Sequence, residues 1–365
     1  MVHVLLRNVG GGVRRACPVC LIFEFAQTSP MVMFCYVRKE TSTHKGEPME
    51  LHVRPLSENL AFGSIVTDLD MSSLADPQVR RALTALWIDR GLVVFEGMET
   101  DEAGHIELSS IFGSPEIHPL RDPAKPGRAE LSDIRYDSVF GEIYEFGDGG
   151  RRGGWLPWHF DLVYVDRINH GGILRPIVVP EDGGETGFID QIAAYDSLPD
   201  LLKRRIEGLE VVYRFDIDAS HQRFGVTPGL RLLRMDPRSS KLMASPEGFP
   251  EVVHPLVFLQ PETGRKVLNV SPWFALGIEG METLEGDVLL EDVIAHATDE
   301  SRAYYHKWVG TDLVLWDNWR MMHCARGVPA GSDRHMQRTT IVGDYGQGRL
   351  RDARASINDA LRVNV

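Results

Sequence analysis

Cysteine is scarce in this chain: four residues in 365, three of them before residue 36. So few thiols provide no disulfide framework and suit a reducing cytoplasm, the expected location. No run of eighteen apolar residues occurs, so no membrane-spanning helix is expected. Basic charge is also short, with 39 Lys and Arg against 52 Asp and Glu and a net charge of −13. That balance argues against a nucleic-acid partner, because phosphate backbones are bound by basic faces. It leaves an anionic small molecule open as substrate, since a few inward-facing arginines decide that locally. The 43% hydrophobic content, by contrast, is ample to bury a full core.

Residues 1–48 differ from the rest of the chain. They hold six Lys and Arg against three Asp and Glu, and three of the four cysteines. They are expected to form a poorly ordered extension, of the kind that a start codon assigned too far upstream would add. Cys17-Pro18-Val19-Cys20 has zinc-like spacing, but only Cys35 and His44 lie near enough in sequence to complete four ligands, so a bland reading is preferred. Glu24 and Gln27 interrupt the apolar stretch that a secretory signal would need. A catalytic domain is expected over 49–345, opening with a strand over Glu50–Leu56, and a peripheral tail over 346–365.

Within 49–345 helix and strand signals alternate. Ser73 and Asp76 read as a capping box before Val79, Leu83, Leu86 and Trp87 at helical spacing, with Gly91 as the stop and Leu92-Val93-Val94-Phe95 as a buried strand. A helix with Pro199 in its first turn and Gly208 beyond its end is expected to feed a strand over 209–213. Leu289, Leu290, Val293 and Ile294 mark another helix, and 312–316 returns to strand. Gly147–Gly154 has the composition of a mobile lid. Short strands bounded by Gly and Pro, with candidate ligands far apart in sequence, predict a mixed α+β, mainly β fold: a jelly roll with flanking helices.

The chemistry concentrates in Trp158-His159-Phe160-Asp161 and in His323 of Leu315-Trp316-Asp317-Asn318-Trp319-Arg320-Met321-Met322-His323. Side chains alternate along an extended strand, so His159 and Asp161 are expected on one face, with His323 closing on the same ion from a distant strand. Two imidazoles and a carboxylate suit non-haem iron(II), leaving open positions for other ligands.

These residues, with Gly183-Gly184-Glu185-Thr186, Ala193-Ala194-Tyr195-Asp196-Ser197-Leu198-Pro199, and Arg334 and Arg338 before Thr339-Thr340, resemble the TauD/TfdA family of iron(II)- and 2-oxoglutarate-dependent dioxygenases. The likeness runs from about Met49 to about Tyr345. It implies a double-stranded β-helix (cupin-like jelly roll), His159, Asp161 and His323 as iron ligands, and Thr186 and Arg334 on the distal carboxylate of 2-oxoglutarate. It places Arg338 as a second arginine, beside cosubstrate or substrate. It also implies O2 as oxidant, succinate and CO2 as products, and hydroxylation as outcome, since relatives that transfer chloride lack the carboxylate of Asp161. Dimers or tetramers are common among such proteins, so a homo-oligomer is expected.

His118, after Phe112-Gly113, resembles the family's substrate-contacting histidine, with a half-buried structural histidine as the bland alternative. Arg121 and Trp155 stand where taurine-specific members have a tyrosine and an asparagine. A cation and an indole favour an anion attached to a larger, aromatic body. The expected substrate is a sulfonate, sulfate ester, aryloxyalkanoate or related acid. Two rivals remain open: a non-redox cupin-like metal hydrolase or isomerase, and a catalytically idle small-acid-binding protein. Cys324 reads as a small core residue rather than a nucleophile.

Overall fold

A computed structural model of the chain describes residues 51–118, 128–237, 239–240, 249–343 and 345–354, together with the backbone of strands Ile22–Glu24 and Met33–Tyr36. Two sheets dominate. The larger runs, in spatial order, through Ile22–Glu24, Met33–Tyr36, Leu51–Pro55, Ser64–Thr67, Leu92–Phe95, Leu313–Asp317, Gly171–Val178 and Arg334–Ile341. Both Pro115–Glu116 and Leu131–Tyr136 pair with its last long strand. The smaller runs through Arg231–Arg234, Ile143–Glu145, Arg151–His159, Met321–Pro329, Thr186–Asp190 and Tyr304–His306.

The chain alternates between these sheets: Arg151–His159 to Gly171–Val178 to Thr186–Asp190, then Leu313–Asp317 to Met321–Pro329 to Arg334–Ile341. That alternation makes the jelly roll. Among the described residues each sheet keeps free edges instead of closing into a barrel. Leu174, Phe188, Trp316, Met321 and Met336 fill the space between them. Among the described residues no helix is long and apolar enough to cross a membrane.

Local signals explain the flanks. The helix Pro77–Arg90 starts where Asp76 accepts a hydrogen bond from the Gln78 amide and Pro77 supplies a preset φ, and it ends at left-handed Gly91. Ser73 is therefore not its cap. It belongs to a preceding 3-10 turn, Met71–Ala75, which Asp70 caps. Pro199 likewise precedes its helix, Asp200–Ile206, rather than joining the first turn.

The glycines of 147–154 do not make a loose lid. Ile143–Glu145 and Arg151–His159 form a hairpin, closed where the Phe146 amide donates to the Gly150 carbonyl at 2.9 Å. Gly153 lies under the Tyr136 ring, where a Cβ would come within 1.9 Å of Cζ. Glycine is needed there for close approach, not for motion.

A third sheet, Ala275–Ile278, Glu210–Tyr213, Val252–Pro255 and Arg349–Leu350, is built mainly from the segment between Asp190 and Tyr304. Its apolar side meets the helix Leu284–Ala297 and an aromatic group including Phe215, Trp273 and Phe274. Arg349–Leu350 lies within the segment expected as a tail, and Arg351 there pairs with Glu251 and Glu279.

One buried ion pair joins these parts. Arg320, 1% exposed, donates Nε to Asp190 Oδ1 at 2.8 Å and a terminal nitrogen to Oδ2 at 2.9 Å. Its other terminal nitrogen donates to the Asp89 carbonyl at 2.7 Å, at the end of the first α-helix.

Candidate active site

His159 ends the strand Arg151–His159, and His323 lies in the adjacent strand Met321–Pro329 as its direct cross-strand partner. The two rings are 4.3 Å apart between centroids. Asp161 is not in a strand with His159, contrary to the period-two expectation; the strand stops and Asp161 enters a turn. Its carboxylate nevertheless faces both rings, with Oδ1 3.9 Å from His159 Nε2 and Oδ2 3.7 Å from His323 Nε2. One donor atom from each of the three lies within 4.8 Å of the others, a grouping that could hold one metal ion.

What turns Asp161 inward is Asn318, buried at the end of strand Leu313–Asp317. Its Oδ1 accepts from the Asp161 amide at 2.9 Å and its Nδ2 donates to the Asp161 carbonyl at 3.0 Å. The same Nδ2 reaches Asn169 Oδ1 at 3.1 Å, and the next residue after Asp161, Leu162, takes a positive φ of 58°. In the sequence Asn318 is a family landmark without a role; its spacing from His323 is the available signal.

The donors are chemically ready for a cation. The Pro157 carbonyl accepts from His159 Nδ1 at 2.8 Å, which leaves Nε2 as the free lone pair facing the centre. Burial pushes His159 down and His323 to about 3, so both rings are neutral near pH 7. Burial opposes charge on Asp161 too, but the Arg338 guanidinium at 2.7 Å, with the histidines beside it, more than offsets this. The carboxyl is held well below its usual range.

Metal binding then displaces few protons. We expect the dissociation constant for Co(II) or Zn(II) to change less than about threefold between pH 6 and 8. Two ordinary imidazoles would lose about tenfold or more over that range. Isothermal titration at several pH values checks this, and a steep dependence would count against it.

Two cavities meet at the triad. The smaller, about 70 Å³, is walled by Leu174, Phe188, Trp316 and Cys324 and contains Thr186 and Arg334. The larger, about 220 Å³, is walled by aromatic side chains including Tyr164, Phe215, Trp273 and Phe274. Ile134, Leu156, His159, Asp161 and Arg338 border both.

In the smaller one, Arg334 is 6% exposed and donates to Thr186 Oγ1 at 3.4 Å. Among the described residues no carboxylate pairs with it, and burial alone pushes its guanidinium down to about 10. In the larger one His118 is buried, and burial followed by Arg338 pushes its ring down to about 3.

Trp155 does not reach this wall. It packs edge-on against Tyr144 and Phe146, at 5.6 and 5.3 Å between centroids, one layer behind Tyr144. The strand's alternation puts Leu156 on the cavity side instead. Arg121 lies outside the described residues. Cys324 sits in the small cavity's wall with its thiol pushed up to about 12 by burial, so it is an apolar wall and not a nucleophile.

The match to known proteins agrees with this geometry. Residues 52–340 match the model of the taurine catabolism dioxygenase TauD, TfdA family. The chain belongs to the TauD/TfdA family. It is thus a 2-oxoglutarate-dependent dioxygenase with the family's jelly roll. It is 30% identical over 301 residues to the 2,4-dichlorophenoxyacetate dioxygenase of Cupriavidus pinatubonensis, covering 81% of this chain and 99% of that protein. It is 31% identical over 288 residues to the (S)-phenoxypropionate dioxygenase of Sphingobium herbicidovorans, covering 78% and 92%. A solved structure of AAD-2 in complex with Mn(II) and N-oxalylglycine superposes with a TM-score of 0.60 at 27% identity, over 81% of this chain and 98% of that one.

Proposed function

We propose that this TauD/TfdA protein hydroxylates a small organic acid with an aromatic body, an aryloxyalkanoate in character. In this reading His159, Asp161 and His323 hold iron(II), and the small cavity holds 2-oxoglutarate with its far carboxylate on Arg334 and Thr186. The observation that carries it is Arg334: a buried guanidinium that no carboxylate among the described residues pairs with, in the wall of a cavity that the His/Asp/His cluster also lines. A buried cation without an anion is costly, so such a site wants an anionic ligand. A non-redox metal hydrolase or isomerase acting on an uncharged substrate would have no use for it.

When bound, iron(II) supplies the redox chemistry by which 2-oxoglutarate and O2 become succinate and CO2 while a substrate C–H becomes C–OH. The protein's share is placement. Arg334 and Thr186 fix the depth of the keto acid. Arg338 and His118 stand where the larger cavity meets the triad and orient the substrate's acid group. The rings of the remaining wall, with Ile217, Leu232 and Met235 between them, pack an aromatic body and exclude water. The two relatives above act, by name, on a dichlorophenoxyacetate and a phenoxypropionate, which favours that class over the alkyl acids.

The test is succinate release under air with added iron(II) and 2-oxoglutarate. Phenoxyacetates and phenoxypropionates are expected to raise it about tenfold or more above the substrate-free rate. Stimulation by alkyl sulfates or alkylsulfonates alone would overturn the aromatic assignment. No succinate with any acid would point to an idle binding protein.

A further inference from the structure

We infer that Trp308 is a positioning residue that locks the Thr186 hydroxyl into donating toward the small cavity, so that the cavity selects an ionised acid over its amide. The inference rests on that cavity being the 2-oxoglutarate site.

A threonine hydroxyl has one hydrogen and two acceptor positions. Trp308 Nε1 donates to Thr186 Oγ1 at 3.0 Å, and an Arg334 terminal nitrogen donates to it at 3.4 Å. Indole and guanidinium nitrogens donate only, so both contacts use oxygen lone pairs. The hydroxyl hydrogen is left, and no described residue accepts it. Thr186 is 5% exposed and borders the small cavity, so the remaining direction for that hydrogen is into the cavity.

Trp308 is held from behind, independently of any ligand. It follows the strand Tyr304–His306, in which His306 pairs directly with Thr186. The His306 ring meets the indole edge-on at 4.6 Å between centroids, and His306 Nε2 lies 3.4 Å from Asp312 Oδ2. The far end of the cavity thus presents donors from both Arg334 and Thr186. A carboxylate accepts from both. A terminal amide directs its own N–H groups at one of them and leaves a buried mismatch, which is costly.

The experiment measures binding of 2-oxoglutarate and of its 5-amide to the zinc-loaded full chain by calorimetry, for wild type, Trp308→Phe, Thr186→Val and the double variant. Trp308→Phe keeps an aromatic ring but frees the hydroxyl to rotate. It is expected to weaken 2-oxoglutarate about fivefold to tenfold while leaving the amide unchanged, so the preference for acid over amide shrinks by the same factor. The double variant should bind no worse than Thr186→Val, because an indole with no hydroxyl to orient contributes nothing here. An unchanged acid-to-amide ratio in Trp308→Phe, or losses that add in the double variant, would overturn the inference while leaving the cavity's assignment intact. Wild type that binds no 2-oxoglutarate would overturn the assignment itself, and the inference with it.

Discussion

Replacing Asp161 with alanine is expected to lower turnover by about a thousandfold or more, equivalent to roughly 4 kcal/mol of lost stabilisation. Two effects act together. The metal loses its one anionic ligand, and a dication held by two neutral imidazoles alone is bound far more weakly. The second effect is electrostatic. Arg338, now 2.7 Å from the Asp161 carboxylate, would be left as an unneutralised cation beside the same centre, repelling the metal. Asp161→Asn keeps the shape and loses the charge, so it should fall near alanine rather than near wild type. Anaerobic Co(II) titration followed by visible absorption separates the metal defect from any defect in folding. Near-wild-type turnover of either variant would sink the ligand assignment.

The largest stability effect is expected at Arg320, which lines neither cavity yet ties the scaffold together. Arg320→Met removes the partner of Asp190, itself 3% exposed, and frees the Asp89 carbonyl that Arg320 holds. Stranding a buried carboxylate in this way costs about 3 to 5 kcal/mol. A domain has only about 5 to 15 kcal/mol in total, so the variant should unfold at far lower urea concentration with an unchanged slope. Adding Asp190→Leu should restore only part of the loss: it removes the stranded charge, but it also removes the cap that Asp190 Oδ1 gives the Ile192 amide at 3.0 Å. A single-variant cost below about 1 kcal/mol would show that the pair is dispensable.

Much of the candidate site was legible because its chemistry is local. His159, Thr186, His323, Arg334 and Arg338 each sit in short patterns, and the structure brings them around one pair of cavities. Strand alternation grouped Asp161 with His159, as the structure does, but by the wrong geometry. The strand ends at His159, and the carboxylate is turned inward by Asn318, 157 positions away. No periodicity reports such a long-range clamp. Trp308 is similarly silent, since a lone tryptophan after a short strand looks like core until its indole N–H is seen on Thr186.

Several rings of the larger cavity come from the segment between Asp190 and Tyr304, where Phe274 adopts a left-handed φ of 76° that no L-residue preference would suggest. The expected lid and the expected place of Trp155 differ from the structure for two reasons. A run of glycines looks loose in one dimension, whereas here Gly153 makes room for the Tyr136 ring within a hairpin, and strand alternation gives the cavity side to Leu156 while Trp155 packs on Tyr144.

The separate origin of those rings matters for how such a protein can diversify. His159, Thr186, His323, Arg334 and Arg338 are rooted in the two jelly-roll sheets, whereas Phe215, Trp273 and Phe274 come from the segment between Asp190 and Tyr304 that also builds most of the third sheet. Substitutions in that segment can therefore reshape the wall of the larger cavity while the residues of the smaller one stay in place.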